Sequence, residues 1–132
     1  MYLLIWVAFL EIIIALFTPE GYQTSLVLHE VVGVATVLLS YYVFLRVKRT
    51  ACPQRIKLIT RTMAYLAIAS GVLGIVLDLP ARSIVSIPLQ EPIQFVHVAL
   101  AIAIITQASA SATAYDMWEE KEFEQTTTGA SR

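Results

Sequence analysis

Four long apolar runs, separated by short polar breaks, dominate this chain of 132 residues. They cover about residues 2–17, 23–45, 56–77 and 91–114. A helix needs about 20 apolar residues to cross a bilayer, so the first run is short and the other three are long enough. Charged residues make up only 14% of the chain, against roughly 25% in an ordinary soluble domain. The sequence therefore predicts an all-α integral membrane protein, an up-down four-helix bundle over residues 1–118.

Basic residues predict the orientation of this bundle. Six of the nine lie between the end of the second run and the first two turns of the third: Arg46, Lys48, Arg49, Arg55, Lys57 and Arg61. Because basic loops remain in the cytoplasm, we expect a multi-pass protein of a prokaryotic cell membrane with both termini cytoplasmic. The acidic tail, residues 119–132, is predicted to be disordered. The basic loop lacks aromatic stacking residues, so membrane lipid is its expected partner and nucleic acid is not.

Two histidines lie within the apolar runs, and the chain has no others. His29 and His97 each follow the start of their helix, the second and the fourth, by about six residues, or roughly 9 Å of depth. The second and fourth helices are diagonal neighbours in an up-down bundle. Two imidazoles at one depth on diagonal helices suit the axial ligation of one heme iron. A single buried histidine that merely hydrogen-bonds a neighbouring helix is the simpler alternative.

Small residues lie near the predicted heme site. Gly33 and Ala101 each follow a histidine by four residues and so share its helix face. Gly71 is expected at the same depth on the third helix, although small residues also serve close helix packing. Arg82 is the predicted partner of the heme propionates, and a surface arginine at the lipid headgroups is the alternative. The chain has no CxxCH motif, so the heme would be bound non-covalently, as a b-type or a heme O/A-type group.

Glu11 is expected in the same layer as the histidines. A carboxyl group at this depth should be protonated or paired. It could orient a ligand histidine, transfer a proton as a catalytic group, or complete a two-histidine, one-carboxylate site for non-heme iron. The sequence leaves these roles open.

The segments around the histidines resemble the heme A synthase family of membrane proteins. LHEVVGV, with His29 and Gly33, is similar to the family's second-helix pattern, and QFVHVALA, with Gln94, His97 and Ala101, to its fourth-helix pattern. In that family each half is a four-helix bundle with heme-binding histidines on its second and fourth helices, near the outer surface. The resemblance implies a half-length member, similar to short archaeal ones, that forms a homo-oligomer or joins a larger membrane complex.

The function implied by this resemblance is an oxidoreductase that oxidises a methyl group of a heme held by His29 and His97. The family has a glutamate where this chain has Leu26, and usually an arginine where it has Glu30. This difference favours a non-enzymatic b-type cytochrome, a small subunit of a respiratory complex that exchanges electrons with quinone. A cofactor-free structural subunit is the third possibility. A proton or ion carrier that uses Glu11 is weaker, because the sequence shows no inverted repeat.

Overall fold

The computed structural model describes residues 1–17, 23–78 and 87–129, with the backbone alone at 23–25, 78, 87–90, 128 and 129. These residues form four helices: α1 (Tyr2–Phe17), α2 (Gln23–Lys48), α3 (Gln54–Asp78) and α4 (Ile87–Gly129). The all-α prediction is confirmed for this part of the chain. α1 has the predicted bounds, and α2 and α3 both extend into the basic segment that joins them.

A tight turn joins α2 to α3 at what we call the basic end of the bundle. The amides of Arg49 and Thr50 each donate to a carbonyl three residues earlier at 3.1 Å, which closes the last turn of α2. The carbonyl of Pro53 accepts the amides of Ile56 and Lys57 and so starts α3. Apolar side chains cover this turn; the cluster includes Val47, Cys52, Ile56 and Trp118.

α4 differs most from the sequence prediction. It is a continuous helix of 43 residues, whereas the apolar run ends near Ala114. Residues 119–127 are all exposed, and their glutamate, lysine and glutamine side chains favour helix. The structure thus places a helix where we predicted a disordered acidic tail, as far as Gly129. Pro92 lies inside the helix rather than in its first turn.

The helices run alternately in opposite directions around the bundle. Val47 of α2 packs with Ile56 of α3 at the basic end, and farther from it Val37 lies against Gly71. α1 packs against α2 and α4, and α3 also packs against α2 and α4. Within the described residues the backbones of α2 and α4 do not pack directly, so these two helices occupy diagonal corners. The Tyr2 hydroxyl donates to the Asp116 carboxylate and links α1 to α4.

Small and hydroxyl-bearing side chains make up most of the buried residues of the bundle, and many large apolar side chains lie on its surface. The Ser40 hydroxyl donates to the Thr36 carbonyl at 2.7 Å, so this buried group is satisfied within α2. Trp6 is 68% exposed and Leu38 is 64% exposed. Soluble proteins rarely expose extended apolar surface of this kind. The small or hydroxyl-bearing buried residues are Ala8, Thr36, Ser40, Thr60, Ala64, Ala67, Ser70, Ala108, Ser111 and Ala112.

Three helices contain segments long and apolar enough to cross a membrane. These segments are Leu26–Lys48, Gln54–Leu77 and Glu91–Thr127. α1 is apolar but has only 16 residues.

Candidate functional site: a histidine pair across the bundle

The two histidines meet across the diagonal of the bundle, far from the basic end. Their ring centroids lie 6.3 Å apart and their planes cross at 77°. His29 projects from α2 and His97 from α4, whose backbones do not touch in the described part of the chain. The side chains therefore span a gap that the helices leave open. We call this region the histidine end of the bundle.

A hydrogen bond to α3 fixes the ring of His97. Its Nδ1 lies 3.0 Å from the backbone carbonyl of Ser70 and 3.3 Å from the Ser70 hydroxyl. A carbonyl oxygen only accepts, so Nδ1 carries the proton and Nε2 keeps a free lone pair. Metal-bound histidines usually show this arrangement, with the second ring nitrogen donating to a carbonyl or carboxylate.

Gly74 makes the position of the His97 ring possible. A Cβ at residue 74 would lie 3.3 Å from Cε1 of His97, which is tighter than ordinary van der Waals contact. Neither Gly74 nor Ser70 was among the site residues predicted from the sequence. A polar residue one position before the predicted Gly71 was the available signal.

The ring of His29 lacks a comparable anchor. Its Nδ1 is buried and has no hydrogen-bond partner among the described residues. An unpaired polar atom in such a place costs free energy, about 1–3 kcal/mol. This cost disappears if a ligand supplies the missing partner.

The spacing of the two rings matches that of two ligands on one metal. A metal–imidazole bond is about 2.0 Å long, and each ring nitrogen lies roughly 1 Å from its ring centroid. Two imidazoles on opposite sides of one metal ion therefore have centroids about 6 Å apart. The observed separation agrees with this value, and it is also a normal distance for two rings in edge contact.

Glu11 lies closer to the basic end than the histidines do. Its Oε2 accepts a hydrogen bond from the Thr36 hydroxyl at 3.0 Å, and a Cβ at Gly33 would lie 2.9 Å from its Oε1. These partners follow His29 by four and seven residues, or about 6–10 Å along α2. No group of three His, Cys, Asp or Glu side chains in the described residues is arranged to hold a metal, so Glu11 does not complete a three-ligand site there.

A small cavity of about 20 Å³ lies beside Glu11. Three of the predicted site residues, Gly33, Gly71 and Ala101, line it rather than the histidine rings. Thr36 and Ser70, which the sequence did not single out, supply polar lining together with Glu11. The structure thus divides the predicted single layer into a histidine pair and a neighbouring polar cavity.

Close packing ends before the histidines. Where burial is described, every buried residue on α2 lies at Thr36 or nearer the basic end, and every one on α3 lies at Ser70 or nearer that end. On α4 the first is Ile104, seven residues past His97. Among the described residues the side chains at the histidine end are therefore partly buried or exposed. Arg82, the predicted propionate partner, lies outside the described residues.

No protein-family model, curated protein or solved structure matches this chain. The resemblance to the heme A synthase family therefore rests on the sequence segments quoted above and stays a prediction. The class that the fold defines is a helical bundle with three candidate transmembrane helices.

Proposed function

We propose that this chain is an integral membrane four-helix bundle in which His29 and His97 would together hold a heme. The observation that carries the proposal is the histidine pair, with its 6.3 Å centroid separation and the His97 Nδ1 committed to a carbonyl. Placing two imidazoles within a membrane costs free energy unless each has a hydrogen-bond or metal partner. Ionisable residues in such places usually belong to functional sites.

Membrane insertion is supported by the distribution of side chains. Hydroxyl-bearing and small residues face the interior, where they allow close helix contact. Large apolar residues face outward on all four helices, as lipid contact requires. α1 is the shortest of the four, and it would cross only with its ends near the interfaces.

Orientation follows from the basic end, which we place in the cytoplasm. The helical extension after Trp118 would then project into the cytoplasm as well. A Lys121→Cys variant in a Cys52→Ser background tests this placement. A membrane-impermeant maleimide should label it in inside-out vesicles and not in intact cells. Labelling of intact cells would show that the basic end faces the outside, opposite to the proposed orientation.

Whether a heme fits depends on the two histidine ligands and on the space available around them. The cavity of about 20 Å³ beside Glu11 accepts about one water molecule, so a macrocycle would not lie there. It would stand at the histidine end, where close packing has already ended. Movement of partly buried side chains costs far less than opening the core near Met63, which is fully buried.

When bound, the heme would supply one-electron redox chemistry. Ser70 holds His97 through its backbone carbonyl and keeps Nε2 available. Gly74 allows that ring to lie against α3. His29 would complete the pair from α2, and its Nδ1 makes no hydrogen bond among the described residues.

Electron transfer is favoured over heme oxidation by the position of Glu11. Its carboxyl group is bonded to Thr36, about 6–10 Å along α2 from the level of His29. Leu26 supplies no carboxylate where the resembling family has one. We therefore place the b-type cytochrome, with quinone or a partner subunit as redox partner, ahead of a heme A synthase-like oxidoreductase.

A reduced-minus-oxidised spectrum of the purified full chain tests the proposal. Protein from heme-replete cells should show b-type bands, and pyridine extraction should identify the heme. His29→Ala and His97→Ala should each abolish the bis-histidine spectrum. Gln94→Ala, an exposed position about one turn before His97, serves as the matched control and should keep it.

Three outcomes separate the candidate functions. Reduction of the heme by quinol supports the cytochrome, whereas hydroxylated heme in cells that supply heme O supports the synthase-like enzyme. Pigment-free protein, or histidine variants with unchanged spectra, would refute heme ligation. The rings in edge contact would then be helix-packing groups of a cofactor-free structural subunit.

A further inference from the structure

The cavity beside Glu11 has the size and the polarity of a water site. Its volume is about 20 Å³, and a cavity needs roughly 10–15 Å³ to hold one water molecule. Empty cavities in proteins are apolar, whereas a buried water needs about 2–4 polar partners. Glu11, Thr36 and Ser70 line this cavity with a carboxyl group and two hydroxyls.

The polar lining comes from three different helices, and its two hydroxyl-bearing residues are buried while Glu11 is partly buried. Thr36 is 3% exposed and Ser70 is 6% exposed, so bulk solvent does not reach their hydroxyls. Glu11 approaches from α1, and the missing side chain of Gly33 leaves space for its Oε1. Thr36 shares its single proton between Glu11 Oε2 and the Val32 carbonyl, each at 3.0 Å. One hydroxyl therefore does not satisfy both carboxyl oxygens.

We propose that this cavity holds one ordered water molecule that joins Glu11 to Ser70. The Ser70 hydroxyl lies 3.3 Å from Nδ1 of His97, so a polar connection would run from α1 to α4. A hydrogen bond from the water to Glu11 offsets part of the free-energy cost of placing a carboxyl group in an apolar bundle. The same water gives the Ser70 hydroxyl a second hydrogen-bond partner. The site does not depend on heme, since none of its lining atoms is a proposed ligand.

Radiolytic labelling of the purified full chain in lipid nanodiscs tests the site. X-ray radiolysis of a bound water hydroxylates the side chains around it, and H2(18)O marks the oxygen as water-derived. Val37 and Ile104 line the cavity, and Ile104 is only 3% exposed. Both should take up label above the level of Leu4, which lies outside the cavity lining and is as buried as Ile104; Val37 is only partly buried, so Ile104 is the decisive reporter.

Two substitutions at Glu11 separate polarity from shape. Glu11→Met has a similar length without hydrogen-bonding groups, and it should reduce the label on Val37 and Ile104 to the Leu4 level. Glu11→Gln keeps hydrogen-bonding groups and should retain the label. If Glu11→Met does not fold, Ser70→Ala removes one partner from α3 and should lower the same label.

The proposal is overturned if the unmodified chain labels these residues no more than Leu4. Undiminished label in a folded Glu11→Met or Ser70→Ala variant also overturns it. Heme content is read separately from absorbance. A wet cavity in pigment-free protein would refute the proposed function alone, and a dry cavity in pigmented protein would refute the water site alone.

Discussion

Alanine at Gly33 is the most informative test of the contacts around Glu11. The new Cβ would lie 2.9 Å from Glu11 Oε1, so the carboxyl group must move by about half an ångström to reach ordinary contact. That movement stretches the 3.0 Å hydrogen bond between Glu11 and Thr36. Losing a bond of this kind costs about 0.5–1.5 kcal/mol, and measured values within membranes average about 0.6 kcal/mol.

Helix propensity acts in the opposite direction. Gly33 lies in the middle of α2, and replacing a helical glycine by alanine gains up to about 1 kcal/mol. The two effects nearly cancel, so Gly33→Ala alone should change stability little. Gly71→Ala is the matched control, because its Cβ meets only a methyl group of Val37 at 3.3 Å. It should keep most of the propensity gain.

We therefore expect Gly33→Ala to be less stable than Gly71→Ala by about 1 kcal/mol, roughly a fivefold difference in the folding equilibrium. Unfolding by SDS titration of the detergent-solubilised chain, followed by circular dichroism, measures this difference. A double-mutant cycle with Thr36→Val assigns the cause. In that background Glu11 is no longer held, and the difference between the two alanine variants should disappear. Equal stabilities in the native background, or a difference that survives Thr36→Val, would contradict the reasoning.

Three further predictions concern the rest of the bundle. Met63→Ala should lower the free energy of unfolding by about 2–5 kcal/mol, because Met63 is fully buried. Met117→Ala, at a half-exposed position, should change it by less than about 0.5 kcal/mol. Equal effects of the two substitutions in SDS titration would show that the core lies elsewhere. Deletion of residues 119–132 should leave the unfolding midpoint unchanged and reduce only the helical signal, because residues 119–127 are exposed; a lowered midpoint would mean that this helix packs against the bundle. Tyr2→Phe and Asp116→Asn each remove one partner of the α1–α4 hydrogen bond, and each should lower the free energy of unfolding by at most about 1 kcal/mol. The double variant should lose no more stability than either single variant. If the two losses add fully in the same titration, the hydrogen bond does not exist.

The helices were predictable from the sequence because hydropathy is a local property. Runs of apolar residues broken by short polar or proline-containing segments, such as the one around Pro53, indicate where helices stop and start. The diagonal placement of α2 and α4 then follows from short connections between successive antiparallel helices. This is why the sequence alone predicts that His29 and His97 face each other.

The partners of the polar groups were not predictable in the same way. A helix turns by about 100° per residue, so a small error in its register moves a side chain to another face. Glu11 was expected beside the histidines, but the structure places it against Gly33 and Thr36. The hydrogen bond from His97 goes to the backbone carbonyl of Ser70. A pattern of side chains in the sequence does not indicate which backbone group a side chain will meet.

The sequence by itself determined that the chain forms apolar helices and that its two histidines lie on the second and fourth of them. Tertiary structure alone decided which groups each polar side chain meets, since those contacts depend on how packing rotates and offsets neighbouring helices. It also decided that close packing stops short of His29 and His97. Side-chain volumes from four helices determine that boundary together, and no single segment contains the information.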